Sequence, residues 1–502
     1  MIGFAFLAKM MQAFLVLPAF GLVYLVAAPT GLRRRALQLG AGALAILVSA
    51  GWWVALVALW PVGSRPMIDG SPTNNIFNLI VGYNGLGRIF GASGPGGGGG
   101  GASFSGSTGV LRLFNDVMGG QASWLLPAAL LALIVGLWSR RREPRTDHTR
   151  AALLLWGGWL VVSGLVFSLG SGIIHTYYTV ALTPAIAALV AITGTSLWRT
   201  RHDRGARVLL ATGVVATSVW AWVLLERTPQ WESWLRALIA VSAVLAVTGL
   251  LAAPALRRLG RRAAAATAVV ALVACLAGPV AYSAQVISTA HTGSIPSAGP
   301  SSGAAVGPGG GGGSAAKSAG AGGRSGGGFG GGEASTSTAL VKALESDAGR
   351  YRWVAAVSGS QSAASLELAT GGQPVMAIGG FDNEGGNLTL AQFKQYVARG
   401  EIHYYTGTGT GSGAGGASGH TRGSAGSATA GGAGSGARPT GGFRPTGGFR
   451  PSGGTRPSRG GASMPGAGGS STSAITTWVK AHFKSETVGG QTIYDLTQPT
   501  GS

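Results

Sequence analysis

The sequence predicts a polytopic α-helical membrane protein of about eight transmembrane helices, GT-C-like in its helical part, with a small extracytoplasmic α/β domain and Gly-rich disordered segments. Three observations carry this prediction. Long apolar runs recur through the first 297 residues, only 11% of the 502 residues are charged, and 89 residues are Gly. Soluble domains carry about 25% charged residues, and collagen keeps glycine at every third position. The composition therefore excludes an ordinary soluble domain and a collagen.

Eight apolar runs are long enough, or nearly so, to cross a bilayer, which takes about 20 helical residues. No Asp or Glu lies inside them, and Lys9 is their only Lys or Arg. They form the predicted membrane domain, residues 1–297. The runs are Ile2–Ala28, Ala41–Trp60, Trp124–Trp138, Ala151–Leu169, Tyr177–Leu197, Val208–Leu225, Ala237–Ala253 and Ala264–Ala284.

The loops between these runs alternate in charge. Sixteen arginines occupy every second loop, and the intervening loops hold five. By the positive-inside rule the Arg-rich loops are cytoplasmic, so the loop 61–121 and the C-terminal part are extracytoplasmic. We therefore predict a multi-pass protein of the cell membrane. An outward-facing N-terminus also predicts that further helices precede Met1 in a longer protein.

Beyond residue 297 the sequence predicts a second domain. Residues 298–335 are a Gly/Ser-rich linker, and 407–472 are a disordered Gly/Arg/Pro-rich insert. Between and after them, 336–406 and 473–502 alternate helical and strand patterns, which is typical of an α/β domain with a largely parallel sheet. The predicted helices are Ala339–Ser346, Gln361–Ala369, Thr389–Ala398 and Ser473–Lys484, and the predicted strands are Trp353–Val357, Val375–Ile378, Ile402–Tyr405 and Thr492–Leu496.

Two groups of residues in the membrane domain are candidates for chemistry. Lys9 is an ionisable residue within a span, so it is either a cation for a phosphate headgroup or a side chain that snorkels to the surface. His175, Tyr177 and Tyr178 begin the fifth span and can bind a phosphate or sugar, or form an interfacial aromatic belt. The single cysteine, Cys275, excludes disulfides and thiolate metal sites.

The remaining candidates lie in loops. Arg88 follows an amphipathic stretch in a predicted turn and is a candidate phosphate contact. Asp69 is one of two acids in the loop 61–121, and a lone Asp near a turn is most often structural. Asp382 and Glu384 follow a predicted strand and are candidates for binding an acceptor or a metal, since such folds bind ligands where parallel strands end.

Four segments resemble actinobacterial membrane glycosyltransferases of family 39, relatives of the aminoarabinose transferase and the protein O-mannosyltransferases. The resemblance extends over nearly the whole chain and rests on "AKMMQAFLVLPAF", "NNIFNLIVGYNGLGRIFG", "GSGIIHTYYTVALTPAIAALV" and "RWVAAVSGSQSAASLELATGGQPVMAIGGFDN". It implies a GT-C fold and transfer of a sugar from a polyprenyl-phosphate donor to an extracytoplasmic acceptor, a protein or a cell-wall glycan.

The same resemblance assigns roles to residues. Lys9 matches the family's lysine, and His175, Tyr177 and Tyr178 match its His-x-Tyr-Tyr motif, which places them with Arg88 at the lipid phosphate or sugar of the donor. The family's catalytic carboxylates lie in an early outer loop, and this chain carries no matching acid, so the general base is absent and the chain resembles a fragment. Glu226 and Glu232 share a loop outside any matching motif.

Two further readings compete with a glycosyltransferase. The chain is alternatively a non-catalytic membrane protein whose α/β domain binds or senses cell-wall polymer. A transporter is disfavoured, because the spans contain almost no ionisable residues or broken helices. No motif requires a cofactor, and a divalent cation is a candidate ligand. The expected partners are membrane lipid, a polyprenyl-phosphate sugar and the acceptor. Nucleic acid is excluded, because the basic charge is explained by membrane topology and the insert.

Overall fold

The structure is a computed structural model, and it contains a helical membrane domain and an α/β domain. It covers residues 1–71, 73–91, 105–252, 260–289, 297–300, 337–380, 388–406 and 471–500. The predicted linker and insert lie almost wholly outside these residues, as do Asp382 and Glu384.

The first span is a broken helix. It consists of α1 (Ile2–Lys9), a 3-10 helix (Met10–Val16) and α2 (Leu17–Ala27). Met10 has a φ of 44°, in the left-handed region that interrupts a right-handed helix. The argument against a transporter from unbroken helices is therefore wrong for this span.

The membrane domain contains seven helical segments, among the described residues, that are long and apolar enough to cross a membrane. The third predicted run forms a shorter helix, α6, of 14 residues. The protein is thus a polytopic helical membrane protein. After α2 the helices are α3 (Leu32–Leu59), a π-helix (Asn78–Leu86) continuing into α4 (Gly87–Phe90), α5 (Gly119–Ala122), α6 (Leu126–Ser139), α7 (His148–Leu169), a 3-10 helix (Thr176–Leu182) continuing into α8 (Thr183–Arg199), α9 (Arg204–Glu226), α10 (Ser233–Leu251) and α11 (Gly260–Ser288).

Small residues bring α6, α7 and α8 close together. A Cβ at Gly136 of α6 would lie 2.7 Å from Thr193 Oγ1 and 2.9 Å from Leu153 Cδ2, so a larger residue would force these side chains to shift. Thr193 also donates a hydrogen bond of 2.9 Å to the carbonyl of Ala132. Close backbone approach through small residues and hydroxyl bonds is the usual way helices associate in lipid. This packing joins the C-terminal part of α6 to α7 and α8.

Two arginines of the Arg-rich loops bind the C-terminal end of α2. Arg35 is buried and donates to the carbonyls of Leu25 and Thr30. Arg145 donates to the carbonyl of Ala28 over 2.8 Å. Cations at a helix C-terminus satisfy its free carbonyls and complement its dipole. These arginines therefore stabilise the fold.

The α/β domain is built on a five-stranded sheet of order β2-β1-β3-β5-β4. The strands β1, β2 and β3 are parallel, as the alternating pattern predicts, whereas β5 and β4 form an antiparallel hairpin. In chain order the elements are α12 (Thr338–Glu345), β1 (Trp353–Ser358), α13 (Ser360–Ala369), β2 (Val375–Ile378), α14 (Leu390–Ala398), β3 (Ile402–Thr406), α15 (Ser471–His482), β4 (Phe483–Val488) and β5 (Gln491–Pro499).

The end of the domain differs from the sequence prediction. The predicted helix Ser473–Lys484 is wrong at its last two residues, because α15 ends at His482 and Phe483 begins β4. Strand β4 has no counterpart in the prediction. Its residues Lys484 to Thr487 are exposed, so it lacks the buried alternation that identifies a strand. The turn that joins it to β5 is Gly489–Gly490, both at positive φ, which is typical of a tight hairpin.

Candidate functional site

Five predicted site residues lie together in the membrane domain. We call Lys9, Arg88, His175, Tyr177 and Tyr178 the cationic cluster. The Nζ of Lys9 lies 4.9 Å from the ring centroid of Tyr178 and 5.7 Å from that of Tyr177. The His175 ring stacks on Tyr177 with centroids 5.3 Å apart and meets Tyr178 edge-on at 5.2 Å. The structure thus joins residues that are 166 positions apart in the sequence, Lys9 and His175.

Departures from α-helical geometry place these side chains. Lys9 is the last residue of α1, directly before the break at Met10. Tyr177 and Tyr178 lie in the 3-10 helix that follows His175. Lys9 thus lies where α1 ends, beside the 3-10 helix that carries the two tyrosines. Its side chain therefore contacts both tyrosine rings.

Arg88 is fixed by three neighbours. It donates a hydrogen bond of 2.9 Å to the carbonyl of Ile173, and its other terminal nitrogen lies 3.5 Å from Asn84 Oδ1. Its guanidinium also lies 4.5 Å from the ring centroid of Tyr83. The predicted turn is wrong here, since the residues around Arg88 are helical apart from Gly85, whose φ and ψ are both −116°.

The segment before His175 crosses the segment that carries Arg88 at contact distance. Ser171 N donates to Ile89 O over 2.9 Å, and Gly172 N donates to Arg88 O over 3.2 Å. A Cβ at Gly172 would lie 2.2 Å from Gly87 O. Only glycine allows this crossing, which sets the position of Arg88 relative to His175.

The start of that segment is held by Arg112, a residue that belongs to none of the motifs of the sequence. Arg112 is 2% exposed and donates to Gly170 O over 2.6 Å and to Phe167 O over 3.4 Å, at the C-terminal end of α7. It also donates to the carbonyl and hydroxyl of Ser105. Its sequence signal is weak: a single arginine in an apolar stretch of a loop.

His175 is neutral at physiological pH. Burial, together with the positive charges of Arg88 and Lys9, lowers the pKa of His175 from 6.5 to about 4. Desolvation and nearby cations both disfavour the protonated ring. A neutral imidazole accepts a hydrogen bond at one ring nitrogen and donates at the other.

The depressed pKa of His175 predicts an acid-sensitive fold. Between pH 6.5 and pH 4 the His175 ring is protonated in the unfolded chain but neutral in the folded chain. The free energy of unfolding therefore falls as the pH falls through this window. Acidification from pH 7 to pH 5 should lower the free energy of unfolding by about 1–2 kcal/mol through this residue. Unfolding in detergent at both pH values should show a smaller loss for His175→Gln. The control His202→Gln, at an exposed position, should keep the full loss. Equal pH dependence in the two variants would contradict this account.

Within the described part of the chain, the cluster gathers positive charge without a counter-ion. Among the residues that the structure describes, neither Lys9 nor Arg88 forms a salt bridge. A lysine, an arginine, two phenols and a neutral imidazole together offer donors to the oxygens of an anion. The arrangement is therefore suited to a phosphate group, and it supplies no carboxylate for proton abstraction.

Other acids of this domain have structural roles. Asp116 forms a salt bridge of 3.2 Å with Arg227, and Glu226 pairs with Arg236. Within the described part of the chain, no group of three or more His, Cys, Asp or Glu could hold a metal ion. The candidate acids Asp382 and Glu384 lie outside the described residues.

Asp69 lies where the two domains meet. A Cβ at Gly380, in the loop after β2, would lie 2.6 Å from Asp69 Oδ2 and 2.8 Å from Oδ1. On the other side, a Cβ at Gly70 would lie 3.1 Å from the Tyr83 ring, the same ring that faces Arg88. The sequence predicts Asp69 as a structural turn residue, and neither its contact with Gly380 nor its position near Tyr83 can be read from local sequence.

The fold and the cluster define the class of protein. The chain is a polytopic helical membrane protein with a cationic cluster at its helix ends, and its α/β domain contacts the loop 61–121 at Asp69. Residues 340–423 match the family described as "Putative mannosyltransferase YkcB-like, C-terminal".

Two curated proteins of Bacillus subtilis (strain 168) are similar to the chain. "Putative mannosyltransferase YycA" is 28% identical over 314 residues, 46% of this chain and 45% of that protein. "Putative mannosyltransferase YkcB" is 26% identical over 501 residues, 82% of this chain and 66% of that protein. The chain thus spans less than half the length of the first and just under two thirds of the second. No solved structure matches it significantly.

Proposed function

We propose that this chain is a membrane glycosyltransferase of the GT-C type, or a portion of one, related to family 39. It transfers a sugar, mannose by analogy with its relatives' names, from a polyprenyl-phosphate donor to an extracytoplasmic acceptor. The single observation that carries the proposal is the cationic cluster, in which Lys9 and Arg88 lie beside His175 without a salt bridge to either cation in the described chain.

The cluster explains how the donor is held and how its bond is weakened. In transfer, the hydroxyl oxygen of the acceptor forms the new bond to the sugar's anomeric carbon, and its proton passes to a base outside the cluster. The bond between that carbon and the phosphate oxygen breaks, and the polyprenyl phosphate leaves with added negative charge. Lys9 and Arg88 stabilise that charge electrostatically, which is commonly the largest contribution to catalysis. Tyr177 and Tyr178 position the phosphate or sugar through their hydroxyls. The polyprenyl chain lies in the membrane alongside the apolar helices.

Orientation follows from the arginine pattern. The Arg-rich loops face the cytoplasm, and the loop 61–121 with the α/β domain faces the outside of the cell membrane. The proposed membrane domain is 1–297, followed by the linker 298–335. The proposed α/β domain consists of 336–406 and 473–502, with the insert 407–472 between these two parts. The acidic residues Asp382 and Glu384 remain candidates for binding the acceptor or a divalent cation.

Binding of polyprenyl phosphate tests the function directly. The full chain in lipid nanodiscs should bind the lipid with a Kd at least about tenfold lower than that of Lys9→Met or Arg88→Met, because a charge-assisted phosphate contact is worth about 1.5–3 kcal/mol. Arg236→Met is the matched control, because Arg236 pairs with Glu226 in a different loop and should bind as wild type does. Equal affinity in all four proteins would refute the assignment of the cluster.

A further inference from the structure

Two helices of the membrane domain end in the same arrangement of a tryptophan and an arginine. After α6 the guanidinium carbon of Arg141 lies 4.3 Å from the ring centroid of Trp138, and after α8 that of Arg201 lies 4.9 Å from the ring centroid of Trp198. Each arginine also donates a hydrogen bond to the carbonyl of its tryptophan, over 2.9 Å and 2.8 Å respectively. We call these two units the Trp–Arg pairs.

The two Trp–Arg pairs lie at the same end of the membrane domain. Because α7 leads back from α6 to α8, in a range that the structure describes without a gap, α6 and α8 run in the same direction. The two helices also touch, since Thr193 of α8 donates to Ala132 O of α6 and lies against Gly136. Packed helices have axes about 8–10 Å apart, and these contacts precede Trp138 and Trp198 by less than two turns. The pairs are therefore neighbours on one surface.

The loops that follow the pairs are strongly basic. Residues 139–150 and 199–207 contain nine arginines and three acids. One of these acids, Asp147, accepts a hydrogen bond from Arg150 N at the start of α7 and lies 4.0 Å from Arg140. Within the described residues, Arg141 and Arg201 form no salt bridge, and each donates one of its five N–H groups, to the tryptophan carbonyl. Both guanidiniums therefore keep donors for an anion.

The tryptophans place these guanidiniums at the level of the lipid headgroups. Tryptophan at the end of a membrane span lies preferentially at the membrane–water interface. Trp138 is 67% exposed, so its indole is open to lipid. A guanidinium packs its face on an aromatic ring and donates from its edge, so contact with the indole leaves the edge free for a phosphate. The pairs thus present two cations at fixed positions beside an apolar surface.

We propose that the two Trp–Arg pairs bind the headgroup of an anionic phospholipid. The phosphate oxygens accept hydrogen bonds from Arg141 and Arg201, and the acyl chains lie along the helix surface at Trp138. The surrounding arginines favour a headgroup of net negative charge and repel a cationic one such as choline. This site is separate from the cationic cluster, because Tyr177 and Tyr178 lie at the start of the span Thr176–Arg199 and the pairs lie at its other end. The inference is therefore independent of the proposed glycosyl transfer.

Lipid titration followed by native mass spectrometry tests the site. The full chain in an uncharged detergent should bind phosphatidylglycerol with a Kd at least about tenfold lower than that of the double variant Arg141→Gln, Arg201→Gln, which loses both charge-assisted contacts. The double variant Arg142→Gln, Arg204→Gln is the matched control. It removes the same charge from the same two loops at exposed positions and should bind within about threefold of wild type.

Two further measurements separate the indoles and the headgroup from charge alone. The double variant Trp138→Leu, Trp198→Leu keeps every arginine, and its Kd for phosphatidylglycerol should rise at least about threefold, because each guanidinium loses the ring that positions it. Wild type should bind phosphatidylcholine at least about tenfold more weakly than phosphatidylglycerol. Polyprenyl phosphate affinity of the Arg141→Gln, Arg201→Gln chain should stay within about twofold of wild type, because the cationic cluster lies at the other end of the span.

Each contrary result overturns a stated part of the proposal. Equal loss of phosphatidylglycerol binding in the two arginine double variants would mean that total loop charge, and not the Trp–Arg pairs, holds the lipid. Unchanged affinity in the tryptophan variant would remove the indoles from the site. Equal binding of phosphatidylcholine and phosphatidylglycerol by wild type would overturn the anionic headgroup. A parallel loss of polyprenyl phosphate binding in the Arg141→Gln, Arg201→Gln chain would overturn a site separate from the cationic cluster.

Discussion

Replacing Gly172 with alanine is expected to disrupt the cationic cluster and abolish tight binding of the donor lipid. The new Cβ would lie 2.2 Å from Gly87 O and 2.7 Å from Arg88 Cα, which are backbone atoms that no rotamer change can move. The hydrogen bonds from Ser171 to Ile89 and from Gly172 to Arg88 would have to break for the two segments to separate. We expect a loss of about 3 kcal/mol of stability, at the upper end for overpacking.

The measurement is thermal unfolding in detergent together with the Kd for polyprenyl phosphate, which should rise at least about tenfold because Arg88 moves. Gly194→Ala is the matched control: Gly194 lies in α8 with nothing within 4 Å of an added Cβ. That variant should be as stable as wild type, or more stable by up to about 1 kcal/mol, as expected for Gly to Ala in a helix. Similar behaviour of the two variants would mean that the segments do not cross in this way.

Arg112→Met is expected to destabilise the protein by about 2–4 kcal/mol. The substitution keeps much of the buried volume, but it leaves the carbonyls of Phe167 and Gly170 at the end of α7 without their charged donor. Hydrogen exchange should accelerate in residues 170–175, which Arg112 anchors. Arg141→Met is the control, because Arg141 is exposed and its partner in the described residues is Trp138, three residues before it. A loss below about 0.5 kcal/mol for both variants, the range of ordinary surface changes, would contradict a structural role for Arg112.

The sequence predicts the membrane helices well because the physical requirement is simple. A run of about 20 apolar residues has few alternatives to a spanning helix. The break after Lys9 is not predictable in the same way, since "AKMMQ" contains neither Gly nor Pro to mark the positive φ of Met10. Trp124–Trp138 is the shortest of the eight apolar runs in the sequence, and its helix α6 is the one that falls below spanning length.

In the α/β domain, local patterns predict buried elements and miss an exposed one. The parallel strands β1, β2 and β3 are largely buried, and the sequence predicts all three. Strand β4 is not predicted, although the pair Gly489–Gly490 before the β-prone "QTIYDL" is a hairpin signal that could identify it. In the candidate site, Lys9, Arg88 and the His-x-Tyr-Tyr residues were found as separate motifs. Their assembly, and the contact of Asp69 with Gly380, depends on tertiary packing between distant segments.

The polar sequence of β4 affects whether the α/β domains of neighbouring copies associate through their sheets. β4 is an edge strand of the sheet, with its outer backbone groups available to pair with another chain. Lys484 and Glu486 are exposed on it. Charged side chains on an edge strand discourage edge-to-edge association. The exposed, charged residues that make β4 unpredictable from the sequence pattern therefore also disfavour pairing between the sheets of neighbouring copies. This matters because the copies are concentrated in the plane of one membrane.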